Sequence, residues 1–178
     1  MTLTSKAILP NYATSSELKD IVSYLASDDL KGRDTGSEGI EKAAIFIENH
    51  FKENAIKPYF KTYRDSFNLK GVDAYNIVGF IEGNDTNLKN EIIIIGAHYD
   101  HIGSAKKVGN DSIANGANDN AAGASGVLEI AEYFASTKQN KRSILIALFS
   151  AEEKGLKGSQ HLAKKLKADK IDLYAMLN

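Results

Sequence analysis

At 178 residues with 43% apolar side chains, the chain can enclose one full hydrophobic core, and a single domain over 1–178 is the default expectation. Its 22 basic and 23 acidic residues are interspersed and the net charge is -1, so there is neither a basic stripe for nucleic acid nor a polybasic membrane anchor. No apolar run approaches the roughly 18 residues of a membrane span, and with no cysteine any metal must be held by His, Asp and Glu.

Met1 to Pro10 lacks the charged and apolar regions of an export signal. Thr14-Ser15-Ser16-Glu17 has the pattern of a capping box, and Leu18, Ile21, Val22 and Leu25 follow at helical spacing, so a first amphipathic helix runs to near Ser27. Asp28 to Glu38 is rich in turn residues. A second box-like pattern, Thr35 to Glu38, is expected to open a helix with Ile40, Ala43, Ala44, Ile47 and Phe51 on one face. Pro58 ends that environment. Tyr59 to Phe67 and Tyr75 to Ile81 read as strands, the second closed by Gly83-Asn84-Asp85.

Ile92 to Ala97 and Ser143 to Phe149 are apolar runs without polar alternation, the pattern of strands buried on both faces. Between them, Ser104 to Asn118 reads as a long exposed loop, of the length that often carries function. A third helix is expected from near Asp119, with Val127, Ile130, Ala131 and Phe134 inward, and a fourth over Ser159 to Leu166. Leu173 to Leu177 is a further strand-like run, cut off at Asn178 with no turn, which suggests a fragment of a longer protein. The alternation predicts a three-layer α/β/α sandwich on a mixed, mostly parallel central sheet, truncated at the carboxyl terminus.

In open sheets of this kind, sites form outside the carboxyl ends of the strands. The first buried run delivers His98-Tyr99-Asp100-His101 to such an end, and the second delivers Ser150-Ala151-Glu152-Glu153. Imidazole and carboxylate oxygen suit zinc and several other divalent ions. Asp100 either shares a face with His98 or turns back to orient its imidazole. Asp119, at a predicted helix start, is either a ligand or simply an N-cap, and taken alone the cap is the commoner role. Glu152 and Glu153 are adjacent and point differently, so one can ligate while the other handles a proton. His50 and His161 sit on predicted helices without acidic motifs and read as structural, while His101 is expected to line the site without binding metal.

Three segments together resemble the co-catalytic zinc aminopeptidases, peptidase family 28 of the metallo class. They are Gly96-Ala97-His98-Tyr99-Asp100-His101, Gly116 to Gly123, and Phe149 to Ser159 with Glu152-Glu153. Leu25 to Gly39 is similar to the segment upstream of these motifs in many bacterial members. The resemblance implies that His98 binds one zinc, Asp119 bridges two, and Glu153 binds the other. It also implies that Asp100 supports His98, that Glu152 is the general base, and that Asp119-Asn120 is a cis peptide. The implied activity is hydrolysis of amino-terminal residues from a peptide with a free amino terminus.

The family pattern needs a further acidic ligand beyond the strand starting at Leu173 and a later histidine, neither of which occurs before Asn178. The expectation is therefore weak zinc binding and little or no peptidase activity in this chain alone, with self-association through an open sheet edge. The parent protein is expected to be an active, extracytoplasmic enzyme. A glutaminyl-cyclase-like transferase and a non-catalytic interaction domain on the same fold are the alternatives.

Overall fold

The computed structural model describes residues 13–178, so the reading of Met1 to Pro10 falls outside it. The first helix, α1 (Ser15–Leu25), opens on the expected capping box: Thr14 Oγ1 accepts from Glu17 N at 3.2 Å and Glu17 Oε2 accepts from Thr14 N at 2.8 Å. A tight turn over Asp28–Arg33 leads to α2 (Glu38–Glu53). Here the expected box is corrected. Ser37 is the cap, accepting from Ile40 N, whereas the Thr35 hydroxyl turns away to Asp100 Oδ2 at 3.4 Å. Both residues are good caps, and tertiary contact with a buried carboxylate decides between them.

A short β1 (Lys57–Pro58) is followed by β2 (Arg64–Leu69) and β3 (Val72–Ile81). The strand expected from Tyr59 starts only at Arg64. Leu69 pairs with Val72 across a two-residue turn, Lys70-Gly71, in which both residues have positive φ, the hairpin geometry that glycine favours. After β4 (Ile92–His98), the expected loop contains a small hairpin of its own, β5 (Ser104–Val108) with β6 (Asp111–Ile113), folded around Gly109. Irregular backbone over Ala117–Ala121 then enters α3 (Ala122–Thr137). The chain continues through β7 (Ser143–Phe149), α4 (Lys157–Ala168) and β8 (Leu173–Leu177).

The main sheet runs β1-β3-β7-β4-β8, with β2 also pairing β3. The β7–β4 and β4–β8 pairs are parallel while β3 is antiparallel to each of its neighbours, so β3 alone runs against the other strands. The two apolar runs are consecutive central strands, which is why they carry no polar alternation. Along β7, Ile144, Ile146 and Leu148 pack toward α1, α2 and α3, whereas Leu145, Ala147 and Phe149 pack toward α4 through Leu162 and Leu166. Each of these Ile, Leu and Phe side chains contributes roughly 1.5–3 kcal/mol when fully buried. This is the expected three-layer α/β/α arrangement on a mixed sheet.

On α3 the buried stripe is Ala124, Val127, Leu128, Ala131 and Ala135. Ile130, expected inward, is 41% exposed because α3 meets the sheet one residue around from that face. It lines an open groove of about 300 Å³ with Leu177, beside β8. Strand β8 has one paired side, and its Leu173, Tyr174, Met176 and Leu177 are exposed. Among the described residues, no helix is long and apolar enough to cross a membrane.

Candidate metal centre

The parallel register sets His98 against Phe149, so β4 and β7 end side by side and their exit loops share one rim of the sheet. Tyr99 N donates to Phe149 O at 2.9 Å, extending the pairing one residue further. The Tyr99 side chain is fully buried and donates its hydroxyl to Tyr75 O at 2.8 Å. With Tyr99 anchored inward, His98 and Asp100 project into the region above the rim.

His98 Nε2 lies 3.1 Å from Asp119 Oδ1. Its other ring nitrogen lies 3.2 Å from the Asp100 main-chain oxygen and 3.9 Å from Asp100 Oδ1. Asp100 therefore fixes the ring chiefly through its carbonyl. Its carboxylate is wholly buried and accepts from Glu152 N at 3.1 Å and Glu153 N at 3.3 Å, holding the second exit loop against the first. Burial raises the Asp100 carboxyl above its usual range, and those two amides together with His98 pull the other way.

Asp119 does not cap α3. Asn120 Oδ1 accepts from Gly123 N at 3.0 Å, which leaves the Asp119 carboxylate 61% exposed and facing His98. The Asp119–Asn120 peptide is cis, as expected. Glu153 Oε1 lies 2.7 Å from His101 Nδ1, a pairing that the sequence did not announce. One donor atom each from His101, Asp119 and Glu153 falls within 4.8 Å of the others. Glu152 lines a cleft of about 340 Å³ together with His98, Asn120 and Phe149.

The proposed donors thus converge from three segments. Two carboxylates, Asp119 and Glu153, stand close together against the imidazole rings of His98 and His101, with the Arg33 guanidinium also attracting Asp119, and a divalent cation would further offset their mutual repulsion. An N/O donor set of this kind fits zinc. His50, near Glu132, and His161, bonded to Asp65 and stacked on Phe67, lie away from the centre.

The sequence profile of "Peptidase family M28" matches residues 76–178, from the middle of β3 through β8. A probable zinc metalloprotease of Pyrenophora tritici-repentis is 35% identical over 174 residues, covering 92% of this chain and 39% of that protein. Aminopeptidase YwaD of Bacillus subtilis is 36% identical over 94 residues, covering 52% of this chain and 18% of its own length. Among solved structures, LapA of Legionella pneumophila superposes with a TM-score of 0.71 at 25% identity, over 92% of this chain and 42% of LapA. Glutaminyl cyclase of Fimbriiglobus ruber also gives 0.71, at 21% identity over 99% of this chain and 62% of the cyclase, a likeness of fold. The chain spans less than half the length of the curated relatives named here. With more than half its residues inside the profile, and both strands that build this rim lying within it, the chain belongs to peptidase family M28.

Proposed function

We propose that this chain contributes the His98, Asp119 and Glu153 ligands of a two-zinc aminopeptidase centre, with Glu152 as general base. The observation that carries the reading is the approach of His98 Nε2 to Asp119 Oδ1 at 3.1 Å, with a Glu153 oxygen in the adjoining donor group. Bound zinc would polarise the scissile carbonyl and acidify the attacking water. The Glu152 carboxylate takes a proton from that water and delivers it to the leaving amine nitrogen. Asp100 orients the His98 ring and ties the Glu152-Glu153 loop in place, and His101 holds Glu153.

Catalytic zinc normally has three protein ligands. With Asp119 shared, His98, Asp119 and Glu153 give each of two ions only two, so these 178 residues alone hold zinc weakly and turn over slowly. The substrate is a peptide with a free amino terminus, supported by the named aminopeptidase relative. The exposed edge of β8 favours self-association. The test is hydrolysis of aminoacyl amides and cyclisation of glutaminyl peptides in zinc, each with Glu152→Gln alongside. Expected is amino-terminal hydrolysis that falls about 10²–10⁴-fold in the variant. Hydrolysis that survives Glu152→Gln, or cyclisation in its place, overturns the reading.

A further inference from the structure

The Leu25 to Gly39 segment supplies none of the proposed ligands, yet it is bound to every part of the rim. Arg33 is only 1% exposed and, among the described residues, has no carboxylate in hydrogen-bond contact. Its guanidinium is spent on four carbonyls: Nε donates to Tyr99 O at 2.9 Å, Nη1 to Asn115 O at 2.8 Å and to Leu25 O, and Nη2 to Gly116 O at 3.0 Å. The Arg33 carbonyl in turn accepts from His101 N at 3.2 Å. One residue therefore ties the end of α1 to the exit of β4, between His98 and His101, and to the run that delivers Asp119. The backbone is bent to achieve this. Lys31, Gly32 and Arg33 all have positive φ (47°, 70° and 49°), and a Cβ on Gly32 would stand 2.3 Å from Gly103 O. A non-glycine residue stays in that region only where its surroundings over-determine it.

We infer that Arg33 is a positioning residue of the metal centre, its guanidinium fork setting the His98-bearing and Asp119-bearing segments at their working separation. This rests on the metal reading proposed above. A planar fork reaches several carbonyls in fixed directions, whereas a lysine ammonium is a point donor on a flexible stem. A purely electrostatic role makes the opposite prediction. Burial pushes the Arg33 pKa down to about 10, against the pull of Asp100 and Asp119, so it stays charged at neutral pH. A cation beside those carboxylates repels a metal ion, and on electrostatics alone its removal would tighten metal binding.

The experiment compares the 178-residue chain with Arg33→Lys and Arg33→Gln by amide hydrogen exchange and by calorimetric titration with zinc. Expected is exchange about tenfold or more faster at Tyr99, His101 and Ala121 in both variants, with α2 and β3 unchanged. Zinc affinity should fall by about tenfold or more even in Arg33→Lys, which keeps the charge. Wild-type exchange at those amides, acceleration spread evenly over the chain, or zinc binding equal to or tighter than wild type in Arg33→Lys would each overturn the inference. If the unsubstituted chain takes up no zinc, the metal reading fails, and the exchange comparison alone decides on Arg33.

Discussion

Replacing Asn76 with alanine tests how the Glu152-Glu153 loop is held. Asn76 lies on β3, wholly buried, and its amide closes the base of that loop: Oδ1 accepts from Ser150 N at 3.2 Å and Nδ2 donates to Gly158 O at 3.0 Å. Nδ2 also reaches Asp65 Oδ2 at 3.1 Å, and Asp65 is bonded in turn to Lys165 and His161 on α4. Gly158 N bonds back to Ser150 O, so the side chain and that backbone bond together clamp both ends of the segment. A Cβ at Gly158 would fall 2.2 Å from Ser150 O, which explains glycine at the clamp. Asn76→Ala orphans the buried Ser150 N–H at roughly 1–3 kcal/mol and loses two further bonds worth about 1 kcal/mol each, because Gly158 C=O lies within α4 and keeps its helical partner. The expected loss is therefore about 3–5 kcal/mol, a large part of the roughly 5–15 kcal/mol typical of a domain. Equilibrium urea unfolding measures it, provided the m-value is unchanged. A loss below about 1 kcal/mol would show that the loop does not depend on this clamp.

Three further outcomes follow from the geometry. Asp100→Asn keeps the shape but presents an amide hydrogen where two backbone N–H groups now find acceptors, so zinc affinity should fall by about 10–100-fold in a calorimetric titration; unchanged affinity would detach Asp100 from the site. Glu129 on α3 is 7% exposed and its carboxyl is raised, mainly by burial and then by Glu132 and Glu17. A raised carboxyl stabilises fully below the unfolded value of about 4.3 and loses that contribution as pH rises through the folded value. Glu129→Gln should thus raise the melting temperature at pH 7 and lose the advantage near pH 4, and equal melting curves at both pH values would refute this. Leu177→Lys charges the open edge of β8 and should shift sedimentation velocity toward the monomer, whereas an identical distribution would place any association elsewhere.

The layers of the fold were legible because their signals are local. The Thr14 capping box, the helical spacing of α2 and the unbroken apolar runs of β4 and β7 depend on neighbours within a few residues. Errors arose where distant contacts decide. Thr35 and Ser37 are equivalent caps until Asp100 takes the Thr35 hydroxyl, and Ile130 fits a helical stripe that the sheet meets off-centre. The hairpin of β5 and β6 is almost entirely exposed, so no apolar pattern marked it. At the rim, the sequence brought forward the residues whose chemistry is visible in their type. The grouping of His101 with Asp119 and Glu153, and the burial of Arg33 among carbonyls, arise from backbone brought together over 50 residues or more of chain. An arginine in a turn-rich segment reads as solvated by default, and Gly32 beside it was the one available hint of a special backbone.

The most direct test of the account is zinc titration of the 178-residue chain by calorimetry, beside a variant carrying both His98→Ala and Asp119→Ala. The account predicts weak zinc binding in the chain and none in the variant. Binding of equal strength in the variant, or two tightly held zinc ions in the unaltered chain, would contradict it.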